Sequence, residues 1–275
     1  MVETHMGSRL ENVPGFPSDH VLGQGFGIAL HRTIRPPHRN LTSRHGVDLE
    51  RENVFGIEDT WTRILNTNSV PWRSICHLES TFTDGSVTFG TGWLSAPDTV
   101  ITAAHNIYLP ESRSWAKHVR VVAGRNEDVG FAETYAVNIH ILDGWASHSA
   151  PERDLGAIKL ANKDFGYGPG WFGFASLTDD QINAAPPLQS AGYPFETRPF
   201  ASMWYDAGRG FVDSDEFLGY YVDTEGGQSG APVFFTYAGD QRLVAAIHVY
   251  GGSTSNLGLR ITPAIYDQIL AWNSG

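Results

Sequence analysis

The chain has 275 residues, 41% of them hydrophobic and 12% aromatic, and a formal net charge of −11. A chain of this length can bury a sizeable core, and all-β barrels of more than about 200 residues are common. Its acidic surface repels phosphate backbones, so we expect no nucleic-acid partner. No apolar run is long enough for a membrane-spanning helix, so we expect no membrane partner.

The first 53 residues differ in composition from the remainder. They carry six Arg and six acidic residues, so the whole net charge of −11 falls on residues 54–275. The start of the chain, residues 1–14, is polar and lacks the apolar segment of a secretory signal. We predict that residues 1–53 form a leader or propeptide. The compartment stays open between a cytoplasmic protein and an exported protein in trimmed form.

From residue 54 onward, short runs of Val, Ile, Thr and aromatic residues recur between clusters of Gly, Pro, Asn and Asp. This rhythm is typical of an all-β protein. The runs at 88–94 and 100–102 predict paired strands, and those at 119–122 and 137–139 predict further strands of the same barrel. We predict a first β-barrel over residues 54–166.

A second barrel is predicted over residues 167–275, after a Gly- and Pro-rich stretch at 165–173 that marks the crossover. Near its end, Thr262 can cap a helix that has Pro263 in its first turn. Ile265, Ile269 and Trp272 then recur at helical spacing. The second barrel should therefore finish with a C-terminal α-helix.

The single cysteine, Cys76, excludes a disulfide within the chain. Cys76 lies in the apolar run Ser74-Ile75-Cys76-His77-Leu78, where a small buried side chain on a strand is expected rather than a thiol nucleophile. His140 and His148 lack the companions of a metal-ligand set, so we expect no metal and no organic cofactor.

Three separated motifs carry candidate catalytic residues. An apolar, β-prone run from Thr99 delivers His105 at its end, and Asp154 opens a short alternating strand. Ser229 stands between glycines in Gly226-Gly227-Gln228-Ser229-Gly230-Ala231-Pro232. Glycines allow backbone N–H groups to converge on one point, as an oxyanion hole requires. These residues predict nucleophilic catalysis in which Ser229 attacks, His105 takes its proton and Asp154 orients His105.

The chain order His, Asp, Ser is that of the chymotrypsin-type proteases. The segments "TGWLSAPDTVITAAH", "DLGAIKL", "AGYP" and "DTEGGQSGAPVF" resemble the trypsin-like superfamily and, within it, the bacterial glutamyl endopeptidases. The resemblance covers the chain from about Val54 onward. It implies two antiparallel six-stranded β-barrels and a monomeric serine endopeptidase that acts on protein or peptide substrates. It also implies an oxyanion hole formed by the N–H groups of Gly227 and Ser229.

The resemblance implies a specificity pocket formed by Thr224, His248 and Gly251. A hydroxyl and an imidazole can both donate to a glutamate carboxylate, which favours cleavage after Glu, with Asp as a second choice. Asp223 occupies the position of the pocket aspartate in enzymes that prefer Lys or Arg, so tryptic specificity is the alternative. A catalytically silent homologue that binds peptides is a further alternative, against which the complete triad argues.

Zymogen control is a further expectation. Gln228 replaces the aspartate that pairs with a new N-terminus in digestive trypsin-like enzymes, so any such control must work differently here. For an enzyme that cleaves after Glu, the Glu52–Asn53 bond is a self-processing site next to the predicted leader.

Overall fold

The computed structural model describes residues 61–237, 241–252 and 255–275. The predicted leader over residues 1–53 and the Glu52–Asn53 bond lie outside these ranges. The elements within them are, in chain order, β1 (Thr62–Arg63), β2 (Ile75–Phe82), β3 (Val87–Ala96), β4 (Thr99–Thr102), β5 (Tyr108–Leu109), β6 (Ser114–Ala123), β7 (Ala132–Ile141), α1 (Trp145–His148), β8 (Gly156–Leu160), β9 (Gly173–Phe174), α2 (Asp179–Asn183), β10 (Leu188–Gly192), β11 (Trp204–Gly208), β12 (Gly210–Val212), β13 (Phe217–Tyr220), β14 (Pro232–Thr236), β15 (Arg242–Gly251), β16 (Asn256–Arg260) and α3 (Pro263–Ser274).

The first sheet is a closed antiparallel barrel. Its strands follow the order β2-β3-β4-β8-β7-β6, and β6 pairs back with β2 to complete the ring of six. The short β5 adds to the edge of β6. Closure leaves the six barrel strands paired on both sides, so the ends of β4 and β8 are held firmly by their neighbours.

The second sheet is a curled half-barrel with the order β1-β11-β10-β14-β15-β16-β13-β12, and β9 pairs in parallel with β15. Strands β11 and β12 are separated only by Arg209. Together the two sheets confirm the predicted all-β, trypsin-like architecture.

The two largest apolar cores of the described residues both involve the closed barrel. One fills the closed barrel and includes Cys76, Val100 and Ile158, each fully buried. The other joins the two sheets to α3 and includes Trp93 and Phe234. Burial at about 25 cal/mol per Å² of apolar surface makes this shared core the main attraction between the two halves.

The C-terminal helix α3 is confirmed. Thr262 caps it by accepting a hydrogen bond on Oγ1 from the Ile265 N–H, and Pro263 is its first residue. Its buried face includes Ile265, Ile269 and Trp272. Within the part of the chain that the structure describes, none of the helices has the length and apolar content that a membrane crossing requires.

Candidate active site

His105 follows directly from the closed barrel. Strand β4 is buried at all four of its residues and pairs with β3 and β8. After Ala103 the chain turns into a short 3-10 helix, Ala104–Asn106, which lifts His105 out of the barrel. The His105 side chain is 23% exposed, so a ligand can reach it from solvent.

Asp154 meets His105 because their strands are neighbours. Residue Thr102 of β4 pairs with Gly156 of β8, which brings the end of one strand beside the start of the other. The buried Asp154 carboxylate accepts from the His105 backbone N–H at 3.0 Å and lies 2.7 Å from its Nδ1 atom. When Nδ1 carries the proton of a neutral imidazole, Nε2 has a lone pair and can accept a proton.

Two aromatic residues enclose this pair. The Trp145 ring lies 6.5 Å from the His105 ring, and the Tyr250 hydroxyl lies beside Asp154. Burial and the Asp154 charge raise the pKa of Tyr250, so its hydroxyl keeps its proton. A protonated phenol beside a buried carboxylate stabilises the charge on Asp154.

Ser229 lies on a loop whose conformation requires glycine. Gly227 has φ +105°, and a Cβ atom there would lie 2.4 Å from the Tyr193 carbonyl oxygen. Gly230 has φ +88°, and a Cβ atom there would lie 2.1 Å from the Thr91 carbonyl oxygen. The loop therefore packs closely against Thr91 of β3 on one side of Ser229 and against Tyr193 on the other, and larger residues at these two positions would displace Ser229.

Backbone and side-chain hydrogen bonds attach the serine loop to the barrel that carries His105. The Thr91 N–H donates to the Ser229 carbonyl at 3.0 Å, and Thr91 Oγ1 donates to the Gly227 carbonyl at 2.8 Å. Asn106, the residue after His105, donates to the same Ser229 carbonyl at 2.8 Å. Among the described residues, the half-buried Ser229 has no hydrogen-bond partner for its Oγ atom.

The backbone around Ser229 leaves two N–H groups available. Gln228 donates its N–H to the Glu225 carbonyl, and its side chain accepts from the Glu225 N–H at 2.9 Å. The N–H groups of Gly227 and Ser229 donate to none of the described residues. An oxyanion hole requires two such donors near the nucleophile.

His248 and Thr224 lie next to the serine loop. The His248 N–H donates to the Ala231 carbonyl, and its carbonyl accepts from the Gly230 N–H at 2.7 Å. The buried His248 ring places Nδ1 2.5 Å from the Tyr220 hydroxyl. Thr224 is 1% exposed, and its Oγ1 atom has no hydrogen-bond partner in the described part of the chain.

Gly251 and Asp223 complete the set of predicted pocket positions. Gly251 ends β15, the strand that carries His248, and is half-buried. Asp223 is 2% exposed, and its N–H donates to Asp206 at 2.8 Å. A buried carboxylate thus lies directly before Thr224 in the chain.

Several residues of this site were not predicted from the sequence, among them Thr91, Asn106 and Tyr220. Each acts through a partner that is distant in the chain. Asn106 follows His105 directly, which is the one local signal available, whereas Thr91 and Tyr220 are ordinary strand residues in the sequence.

Two curated proteins resemble this chain at 33% identity. One, named extracellular metalloprotease, comes from Bacillus subtilis strain 168, and the alignment spans 82% of this chain and 71% of that protein. The other, named glutamyl endopeptidase, comes from Bacillus licheniformis, with 81% and 70% covered. No family model matches the chain.

Among solved structures, a Glu endopeptidase in complex with MPD superposes with a TM-score of 0.70 at 24% identity, over 81% of this chain and 100% of that one. Fold and relatives together define a trypsin-like serine endopeptidase, which is a hydrolase. More particularly, the chain belongs to the glutamyl endopeptidase family.

Proposed function

We propose that this endopeptidase cleaves peptide bonds after glutamate by means of His105, Asp154 and Ser229. The observation that carries the catalytic part is the His105–Asp154 pair, in which the buried carboxylate holds both the backbone and the ring of His105. The attachment of Ser229 to the residue next to His105 supports it further.

In this proposal His105 Nε2 accepts the Ser229 hydroxyl proton as Oγ attacks the peptide carbonyl. The imidazolium is stabilised by Asp154 and then returns the proton to the leaving amine. Water repeats these steps on the acyl-enzyme and releases the acid product. Free hydroxyl groups often move into line with the base only when substrate binds, which fits a Ser229 Oγ without a partner here.

The developing oxyanion would be stabilised by the N–H groups of Gly227 and Ser229. Their freedom from internal partners supports this role. Removal of one such donor in comparable enzymes costs about 3–4 kcal/mol of transition-state stabilisation.

Preference for glutamate rests on Thr224 and His248. A buried hydroxyl without a partner costs about 1–3 kcal/mol, a cost that a substrate carboxylate would remove by accepting a hydrogen bond from the Thr224 hydroxyl. If the Tyr220 hydroxyl donates to Nδ1 of a neutral His248, the single ring proton lies on Nε2, which can donate to the same carboxylate.

Asp223 favours one competing specificity, for Lys or Arg, because it is a buried carboxylate adjacent to Thr224. Matched chromogenic peptides that differ only in Glu, Asp, Gln, Lys or Arg before the scissile bond separate the two possibilities. We expect the highest kcat/KM for Glu. A higher value for Lys or Arg would contradict the proposed specificity and leave the triad intact.

The name of the Bacillus subtilis relative raises the question of a metal-dependent mechanism. Within residues 61–237, 241–252 and 255–275, no group of three or more His, Cys, Asp or Glu side chains is placed to hold a metal ion. We expect a fluorophosphonate to label Ser229 and abolish activity, and a chelator to leave the turnover rate unchanged over minutes. Loss of activity with chelator alone, restored by metal, would contradict the proposed mechanism.

A further inference from the structure

The side chain of Asn106 forms a direct link between the two halves of the proposed catalytic site. It is 3% exposed, and its Nδ2 atom donates to the Ser229 carbonyl at 2.8 Å and to Thr102 Oγ1 at 2.9 Å. These two bonds use both hydrogens of the amide. A side chain at this position must therefore supply two donors to reproduce the contacts.

The surrounding hydrogen bonds fix the orientation of that amide. Thr102 Oγ1 uses its single hydrogen to donate to the Thr91 carbonyl at 2.7 Å, so it can only accept from Asn106. The Ser229 carbonyl also accepts from the Thr91 N–H at 3.0 Å. The Thr91 N–H and the Asn106 amide thus both donate to the Ser229 carbonyl oxygen. Both hydrogens of Asn106 Nδ2 and the hydroxyl hydrogen of Thr102 are already engaged in this network.

The space for Asn106 depends on Gly90. A Cβ atom at Gly90 would lie 2.5 Å from the Asn106 side-chain amide, far closer than two such groups can approach. Gly90 is not among the glycines with positive φ, so alanine there is compatible with the backbone. Substitution of Gly90 by alanine therefore displaces the Asn106 amide without removing it.

We propose that Asn106 is a positioning residue that sets the distance between His105 and Ser229. The inference rests on the proposed triad. Because Asn106 follows His105 within one 3-10 turn, a single short segment holds the base by its backbone and the nucleophile by its carbonyl. Loss of the Asn106 bond leaves the Thr91 N–H as the remaining described donor to the Ser229 carbonyl, so the Ser229 peptide unit can shift. Misplacement of a nucleophile by about 1 Å can cost about 100-fold in rate.

The test compares Asn106→Asp and Gly90→Ala with the wild-type protein. We expect kcat to fall between about ten- and a hundred-fold, while KM changes less than about three-fold. The rate of fluorophosphonate inactivation should fall by the same factor, since that reaction reports Ser229 nucleophilicity without a peptide substrate. If Asn106→Asp does not fold, Gly90→Ala carries the test, because it keeps the Asn106 amide chemically intact and only displaces it.

Asn273→Asp is the matched control. The Asn273 side chain also joins two elements, donating to the Ser95 carbonyl and accepting from the Ser95 hydroxyl, but it lies on α3. This variant should lower the melting temperature and leave kcat unchanged. Wild-type kcat in Asn106→Asp or Gly90→Ala, with a lowered melting temperature, would overturn the positioning role alone. A wild-type protein that neither cleaves peptides nor reacts with fluorophosphonate would overturn the proposed function and this inference together.

Discussion

The His105–Asp154 pair and the proposed specificity site at Thr224 and His248 differ in how far their polar groups are satisfied before substrate arrives. Both oxygens of Asp154 are engaged by His105, at 3.0 and 2.7 Å, and the carboxylate is fully buried. In contrast, Thr224 buries a hydroxyl that has no partner among the described residues. The acid–base pair is thus complete without a ligand, whereas the pocket contains a donor that a ligand can satisfy.

This difference has an energetic meaning. In the proposed mechanism the engaged pair needs no rearrangement during reaction, as electrostatic preorganisation requires. The buried Thr224 hydroxyl lowers the stability of the free protein slightly, and under the proposed specificity that free energy is recovered when a suitable acceptor binds. Catalysis and specificity should therefore respond to mutation in different ways.

The largest effect is expected for Asp154→Asn. An amide cannot accept from both His105 donors, and it favours the wrong imidazole tautomer, so kcat should fall about 10⁴-fold near neutral pH. Steady-state kinetics on a Glu-containing peptide measure it, with the exposed Asp164→Asn as control. A loss of less than ten-fold would show that the pair is not part of the catalytic apparatus.

Thr224→Val should separate activity from stability. It keeps the side-chain shape but removes the buried hydroxyl, so kcat/KM for Glu should fall about ten- to a hundred-fold relative to Gln. The melting temperature should stay the same or rise, because the variant no longer buries a donor without a partner. If the Glu-to-Gln ratio stays at the wild-type value, Thr224 does not bind the substrate carboxylate.

A smaller loss is expected for Tyr220→Phe. Without the hydroxyl 2.5 Å from Nδ1, neutral His248 can place its proton on either nitrogen, so the Glu-to-Gln ratio of kcat/KM should fall about ten-fold. Tyr266→Phe, which changes a buried tyrosine on α3, is the control and should keep the wild-type ratio. If the Glu-to-Gln ratio of kcat/KM is the same in Tyr220→Phe and Tyr266→Phe, Tyr220 has no role in substrate selection.

The smallest effect concerns a polar cluster in the first barrel. Burial, then the charges of Arg125 and Arg120, hold the pKa of His77 well below its ordinary value, and His77 Nδ1 lies 3.1 Å from an Arg125 donor. The His77 imidazole therefore takes up a proton near pH 6.5 in the unfolded chain but stays neutral at that pH in the folded protein. Stability should fall as the pH drops below about 6.5, by up to about 1.4 kcal/mol per pH unit.

Urea unfolding between pH 7.5 and 5.5 measures this slope. In His77→Gln the slope should become smaller, since no imidazole remains to take up the proton on unfolding. The exposed His118→Gln variant should keep the wild-type slope. The expectation fails if His77→Gln and the wild-type protein lose stability in parallel over this range.

Residues whose role follows from local pattern could be predicted from the sequence. The run that ends at His105 and the glycines around Ser229 indicate strand ends and tight turns, and the structure has those features. The predicted strand at 100–102 corresponds to β4, whereas the strand predicted at 119–122 extends over all of β6. Half of the extra residues of β6 are polar, and the extra residues join the strand through pairing with β2 and β5, which a local pattern does not reveal.

The roles of Asn106, Thr91 and Tyr220 could not be predicted in this way. Their partners lie 123, 136 and 28 residues away in the chain, respectively. The contacts of Asn106 and Thr91 join the two halves of the molecule, whereas Tyr220 and His248 lie on separate strands of the second sheet. In the sequence, a threonine on a strand gives the same local signal whether its side chain faces solvent or a neighbouring loop. The hydrogen-bonding partners of these three residues therefore follow from the fold and not from the local sequence.

Thr91 has a consequence for how the protein melts. It belongs to the closed barrel, yet its backbone and hydroxyl bind Ser229 and Gly227 and accept from Tyr193, all from the other half of the chain. Unfolding of either half would break the hydrogen bonds that Thr91 forms with buried groups of the other half. Calorimetry should therefore record one endotherm rather than two. Heat would then abolish turnover at the temperature at which the whole architecture is lost.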